Sequence, residues 1–313
     1  MTQNINIFLE LKPYLFSIAY RITGSYQDTE DILQESYLRW IRVDKNKIQN
    51  QKHYLGTIVA RLSLDLLKKA SRRKETYIGP YLPEPIPEKL NEYEDQKIDF
   101  AFLVLLETLN PVERAVFILR EAFGFEYETI SQIVNKTHAN SRRIFQRAKK
   151  AIQNRQKKFT PDPKIKSKLL TEFLFACYRN DTKNLTRLLK EDVVSYSDGG
   201  GKVHAARIPI PGLDRVLTLL KQTTKKISPK MNFYFCEANG QKSIVGYLDG
   251  QPKIFQTLLF ENDKICEIYN ILNPDKLKGF QNLEQLQKNS FLQKANFLYF
   301  VRFYWQRILT KIN

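Results

Sequence analysis

Four prolines fall within eight residues, at Pro80, Pro83, Pro85 and Pro87. Each holds φ at about −65°, removes a backbone N–H and drives the preceding residue out of the helical region. No helix and no central strand can cross such a stretch, so the chain has to divide there. Residues 80–97 are expected to form an extended, semi-rigid linker between folding units.

Before the linker the spacing is helical. Phe8, Leu11, Leu15, Ile18 and Ile22 recur at helical intervals until Gly24-Ser25 breaks the run. A second helix, SYQDTEDILQESYLRWIR, starts from a serine cap. Its apolar side reads as Leu33, Tyr37, Trp40 and Ile41, and its charged side as Asp28, Asp31, Glu35, Arg39 and Arg42. After the loop DKNKIQNQ a third helix carries Leu55, Ile58, Leu62 and Leu66, and ends in Lys68, Lys69, Arg72, Arg73 and Lys74. Residues 1–79 thus read as one all-α domain.

The helical period returns over residues 98–160. Asn110-Pro111 sets a helix start, because proline at the first position loses no bond. In FEYETISQIVNKTHANSRRIFQRAKKAI, one helix with Tyr127, Ile130, Ile133 and Val134 inward meets the polar break Asn135-Lys136-Thr137. A second helix follows with Ser141, Phe145, Ala148 and Ile152 inward. Its outer face is His138, Asn140, Arg142, Arg143, Gln146, Lys149 and Lys150. This is a helix-turn-helix pattern whose second helix suits a major groove. Arginine can grip guanine edges, asparagine and glutamine adenine edges, and the two lysines phosphates.

The charge agrees with a polyanionic partner. Lys plus Arg number 50 against 33 Asp plus Glu, a net +17. Residues 136–168 hold twelve bases and one acid, Asp162, for a local +11. With the smaller run at Lys68–Lys74 they make two basic patches, separated by an acidic stretch over residues 84–99. Nucleic acid is favoured over an anionic membrane surface. At 42% hydrophobic and 27% charged, the chain is neither disordered nor membrane-embedded, and no window reaches the roughly 18 apolar residues of a span.

Residues 161–167 (PDPKIKS) read as a second linker. A helical segment over residues 169–189 then gives way to strands: NFYFCEA, SIVGYL, IFQTLLF and ICEIYNIL sit between the turn signals Asn239-Gly240, Asp249-Gly250 and Glu261-Asn262-Asp263. Residues 168–279 are therefore expected to be an α+β domain with a curved antiparallel sheet. The tail, residues 280–313, carries Phe297, Phe300, Val301, Tyr304, Trp305, Ile308, Leu309 and Ile312 at helical spacing, an amphipathic helix expected to pack on its own domain. Cys177, Cys236 and Cys266 form no CxxC pair, so neither a disulfide framework nor a metal site is expected. The start has no secretory pattern, and the expected location is the cytoplasm.

These residues resemble a known family. YLFSIAYRITGS and DTEDILQESYLRW resemble region two of bacterial sigma factors of the extracytoplasmic-function class, and the helix-turn-helix stretch resembles their region four. YIGPYLPEP, SDGGGKVHAARIPI and NPDKL are similar to one subgroup, SigJ-type sigma factors with a fused C-terminal SnoaL-like domain. The likeness covers residues 6–279. It implies two all-α sigma domains followed by a SnoaL-like cone.

The resemblance also implies partners and sites. Asp31, Gln34, Glu35 and Arg39 match the helix that binds core RNA polymerase. Residues 44–51, with Lys45, Asn46, Lys47 and Asn50, match a loop that holds a base flipped from the downstream promoter element, helped by Arg61, Lys68, Lys69, Arg72 and Arg73. Leu62 stands where many relatives carry asparagine. The region-four helix would read the upstream element through Asn140, Arg142, Arg143 and Gln146. The motif residues Tyr81, Leu82, Pro83, Glu84 and Pro85, Asp198, Gly199, Gly200, Gly201 and Lys202, and Asn273, Pro274, Asp275, Lys276 and Leu277 would hold the two DNA-binding domains together, in place of a separate anti-sigma factor. The expectation is a non-enzymatic subunit without cofactor or metal, a monomer when free.

Two enzyme patterns remain to be weighed. A phosphate loop at Gly199–Lys202 fails, because Tyr196 stands where glycine is needed and Val203 replaces the magnesium-binding hydroxyl. SnoaL-type cyclases use pocket His and Asp as acid and base, for which this chain offers His204 and Asp214. A small-molecule sensor or cyclase-like C-terminal domain is the alternative.

Overall fold

A computed structural model describes residues 2–44, 48–74, 76–88, 98–155, 163–226, 230–281 and 293–294, with backbone alone for 2–5, 71–74, 155, 163–164 and 293–294. Three helices open the chain: α1 (Thr2–Thr23), α2 (Tyr26–Arg42) and α3 (Gln51–Lys74). The break between the first two is the one read from Gly24-Ser25. Gly24 takes φ +72°, and the Ser25 hydroxyl accepts from Asp28 N at 3.2 Å to cap α2. Trp40 and Leu33 are buried and Tyr37 half-buried, whereas Ile41 is exposed beside Leu38. On α3 the buried line is Leu55, Val59, Leu64 and Leu67, with Ile58, Leu62 and Leu66 half-buried along its flank.

Residues 80–87 are extended, as the prolines require, but they are not a solvated tether. Leu82 through Pro87 are all buried between the helices and the C-terminal sheet. After them come α4 (Phe100–Leu106), α5 (Pro111–Glu121), α6 (Tyr127–Val134) and α7 (His138–Arg155). Asn110 and Glu113 form a reciprocal capping box around Pro111. Asn135, left-handed at φ +53°, stops α6 three residues before α7 starts. The inward residues of both helices are those expected, with Ser131 and Ile144 added.

The C-terminal domain starts earlier than the sequence pattern suggested. α8 (Pro163–Tyr178) absorbs residues 163–167, which were expected to be linker. Proline is well placed in a first helical turn, so Pro163 opens the helix instead of breaking it. Asn180, at φ +55°, separates α8 from α9 (Thr182–Leu188), where one helical segment was expected. β1 (Leu189–Asp198), β2 (Ile210–Pro211) and α10 (Leu213–Lys226) follow. Then come the meander β3 (Asn232–Ala238), β4 (Gln241–Leu248), β5 (Gln251–Glu261) and β6 (Lys264–Ile271), a 3-10 helix (Pro274–Phe280) and β7 (Gln293–Lys294). The three meander turns have positive φ at both central residues, the twist that two-residue hairpins require.

The sheet order is β2-β1-β6-β5-β4-β3-β7. It is not wholly antiparallel as expected: β1 pairs parallel with β6, because the helical α10 connection brings the chain back from the far side. One face packs α8, α9 and α10 through Phe173, Leu188, Val216, Ile244 and Ile268. The other holds Tyr234, Tyr247, Phe255 and Tyr269, and is covered by Leu82, Phe100, Leu277 and Phe280. Helices α1–α3 and α5–α7 share one apolar core running from Phe8 to Ile152. Residues 282–292 and 295–313 lie outside the described residues, and with them the expected amphipathic tail helix.

Candidate functional site

Three sequence-distant motifs converge on one carboxylate. Asp198 ends β1 with no exposed surface. Its Oδ2 accepts from Leu82 N at 2.9 Å and Lys276 Nζ at 2.8 Å, and its Oδ1 accepts from the Tyr77 hydroxyl at 2.5 Å. Its carbonyl accepts from Leu272 N and Asn273 N. Lys276 Nζ also donates to the Leu82 carbonyl and stands 3.4 Å from the Tyr81 ring centroid, a cation over a π face. Burial, reinforced by the bond to Asp198, raises the Tyr77 pKa, so the phenol keeps its proton and donates it.

The surrounding turns fit tightly. Asn273 donates to the Tyr77 oxygen at 3.0 Å and accepts from Asp275 N at 3.1 Å, capping the 3-10 helix that Pro274 begins. Gly200 takes φ +59°, and a Cβ there would run into the Asn273 side chain. Lys202 pairs with Asp275 at 2.5 Å on the surface. Leu277 and Phe280 anchor the helix in the sheet, where Tyr247 donates to the Phe280 carbonyl at 2.7 Å.

A second set of bonds joins the linker to the first helices. Glu84 N donates to Gly24 O at 2.8 Å, and its Oε2 accepts from Ser25 Oγ at 3.0 Å and Tyr26 N at 2.9 Å, at the start of α2. Burial raises the Glu84 pKa, with these donors and Lys276 opposing. Tyr20 donates to the Glu84 carbonyl at 2.7 Å and accepts from Asn239 Nδ2 at 2.8 Å. Asn239, at the β3–β4 turn, exchanges two further bonds with the backbone of Ile86. Sequence reading found Asn239 only as a turn former and missed Tyr20, Tyr77 and Phe100.

The two helical domains also touch directly. Phe123 packs edge-on against Tyr14 at 5.5 Å, and Phe125 stacks on His53 at 5.4 Å. Thr129 Oγ1 lies 3.2 Å from His53 Nε2. Arg114, 1% exposed, donates to the Arg21 carbonyl at 2.9 Å and to Glu107 at 2.5 Å.

The expected nucleic-acid faces are open. On α7, His138, Asn140, Arg142, Arg143, Gln146 and Lys150 are exposed, while Lys149 is half-buried and pairs with Glu121 at 3.0 Å. Arg61, Lys68 and Lys69 are exposed on α3. Asn50 accepts from His53 N at 2.9 Å and so caps α3. Lys45, Asn46 and Lys47, and the side chains of Arg72 and Arg73, lie outside the described residues. Asp31, Gln34, Glu35 and Arg39 are exposed on α2, with Arg39 bonded to Glu35 at 2.9 Å and Leu38 and Ile41 beside them. His204 and Asp214 are both exposed, not gathered in a pocket. Among the described residues no three His, Cys, Asp or Glu side chains group to hold a metal, and no helix is long and apolar enough to cross a membrane.

Residues 7–73 match Sigma-70 region 2 and residues 99–152 match Sigma-70 region 4. The chain belongs to the extracytoplasmic-function sigma factors, a family of transcription factors and not of enzymes, and carries an α+β domain behind its sigma domains. Its sequence is similar to ECF RNA polymerase sigma factor SigJ of Mycobacterium tuberculosis (strain ATCC 25618 / H37Rv), 29% identical over 293 residues, covering 88% of this chain and 93% of the relative. It is 26% identical over 275 residues to a probable ECF RNA polymerase sigma factor SigI of Mycobacterium tuberculosis (strain CDC 1551 / Oshkosh), covering 85% and 92%. The crystal structure of the Mycobacterium tuberculosis SigJ superposes with a TM-score of 0.71 at 28% identity, over 89% of this chain and 99% of that one.

Proposed function

We propose that the chain binds core RNA polymerase and directs it to promoters, and that its SnoaL-like domain restrains it when free. In this reading α2 docks on polymerase through Asp31, Gln34, Glu35 and Arg39. Arg61, Lys68, Lys69, Arg72 and Arg73, with the loop over residues 44–51, handle the opened downstream element. The exposed face of α7 reads the upstream element. The observation that carries the reading is the pair of open basic faces on helices that share one apolar core. Two promoter elements lie far apart along DNA, so regions two and four have to separate before both engage. The Asp198 network then acts as the restraint, in place of a separate inhibitor. The protein works in the cytoplasm as a monomer until polymerase captures it, and its C-terminal domain performs no chemistry of its own.

Transcription with purified core polymerase on a pool of random promoter templates tests this. The chain should produce discrete start sites that core polymerase alone does not. Arg143→Ala should relax selection at one upstream base pair by about 1–3 kcal/mol. Start sites no different from those of core polymerase alone would overturn the assignment.

A further inference from the structure

We propose that the apolar patch of Met231, Phe233 and Ile254, on the sheet face that carries α8, α9 and α10, is the seat of the chain's own tail, residues 297–312, docked as an amphipathic helix. The patch is built around a missing side chain. Gly246 lies between Phe233 on β3 and Ile254 on β5 in the strand register. A Cβ on it would meet Ile254 Cγ2 at 2.8 Å, Met231 Cε at 2.8 Å and Phe233 Cε1 at 3.0 Å, so these three side chains have closed over the gap. All three are only half-buried. Two residues along β4 on the same face, Ile244 is 1% exposed, in one cluster with Leu170 and Phe173 of α8.

The described chain runs toward this patch and stops at β7. Lys294 pairs with Tyr234 and Gln293 with Phe235, antiparallel. Each residue beyond Lys294 therefore steps toward the start of β3, past Phe233 and toward Met231. Three residues span at most about 10 Å, so Phe297 stands close to the patch whatever path the connection takes.

The tail's composition fits an apolar seat. Phe297, Phe300, Val301, Tyr304, Trp305, Ile308, Leu309 and Ile312 repeat at helical spacing. A helix over residues 297–312 would be about 24 Å long, enough to cross three strands that together span roughly 10 Å. Left in water, its apolar side would be a large exposed patch, so it needs a partner. Arg302, Arg307 and Lys311, with no acid among residues 297–313, would also suit an anionic lipid surface. The short connection decides between the two. A segment tethered this closely meets the patch at an effective concentration on the order of millimolar, which a vesicle or a second copy would have to exceed. The seat is independent of promoter recognition.

Trp305 reports on it. The chain's other tryptophan, Trp40, is buried in region two, so the emission of wild type minus that of Trp305→Phe isolates Trp305. In dilute full-length protein without lipid, that emission should be blue-shifted and shielded from acrylamide. Met231→Lys and Ile254→Lys should each shift the tail's docked-to-free ratio about tenfold toward release, the worth of one buried aliphatic side chain, and the pair together should expose Trp305. Leu9→Lys, on the exposed side of α1, should change nothing. A Trp305 open to acrylamide in wild type, or shielding that survives the paired substitution, overturns the seat. So does shielding that appears only as protein concentration rises, which marks a second copy, or only on adding anionic phospholipid vesicles, which marks a membrane surface. If a lysine variant loses its circular dichroism, Ile254→Thr keeps a β-branched residue in β5 and should release the tail in the same direction.

Discussion

Asp198 holds the linker to the C-terminal domain with three donors around one buried carboxylate, whereas Phe123 and Phe125 hold region four to region two with two rings laid on Tyr14 and His53. The first junction is directional. Each of its bonds has one good geometry, and a buried charge left without its partner is costly. The second is nearly non-directional: its rings can slide or tilt with gradual loss of contact. A closed form built from both should open in order. The ring contact can loosen while the Asp198 network is intact, but once Asp198 is hydrated the linker keeps only the directional bonds at Glu84 and Ile86.

The largest expected effect comes from the polar side. Asp198→Ala removes the carboxylate bonded to buried Lys276 beside Leu82 and Tyr81, and with it the acceptor of the Tyr77 hydroxyl and the Leu82 amide. The expected loss is about 3–5 kcal/mol, the range for removing one partner of a buried pair. Urea unfolding should show it, and hydrogen exchange should show early opening at the Leu82 amide. A loss under about 1 kcal/mol with Leu82 still protected would mean that the apolar junction alone holds the chain closed.

Asn239→Ala is the next test, because it separates the Asp198 bonds from the other polar bonds that the linker makes. Its side chain accepts from Ile86 N and donates to the Tyr20 hydroxyl, both buried. Losing these should cost about 1–3 kcal/mol, less than at Asp198 because no ion is stranded. In a double-mutant cycle with Asp198→Ala the two losses should couple, since residues 82–86 carry both sets of bonds. Additive losses would show two independent restraints on one linker.

Much of the helical half was legible because its periodicity and caps are local. Ser25, the Asn110-Pro111 start and the Asn135 break needed no partner to be read. The meander was legible for the same reason, since Asn239-Gly240 and Asp249-Gly250 dictate their own turns. The linker was misjudged because burial is not a local property. Prolines specify an extended path, but only the sheet's apolar face and the helical core decide that Leu82 and Ile86, in that order, are covered. The parallel β1–β6 pairing was hidden likewise, as β1 reads KEDVVSYSD, with charges on the part of the strand nearest α9. Within the site, the motif residues came from family resemblance. Tyr20 and Phe100 look like ordinary aromatic core positions in sequence, and Tyr77 stood at the head of the linker motif with no role of its own.

The smallest expected effect concerns pH, and it tests whether the linker's charge belongs to the polar junction. Glu84 is buried, and burial raises its pKa above the ordinary 4.5, against the donors Ser25 and Tyr26 and the charge of Lys276. The folded state therefore binds this proton more tightly than the unfolded chain does. The stabilisation is fully present below the unfolded value and is lost as pH rises through the raised folded value. Glu84→Gln removes the titration while keeping an oxygen to accept from Ser25 and Tyr26. The difference in unfolding free energy between the glutamine variant and wild type should then be flat in acid and move in the variant's favour as pH rises toward neutrality. Measuring both proteins across that range cancels the titration of every other carboxylate. A pH-independent difference would assign Glu84 to the neutral contacts of the junction, leaving Asp198 and Lys276 as its working charges.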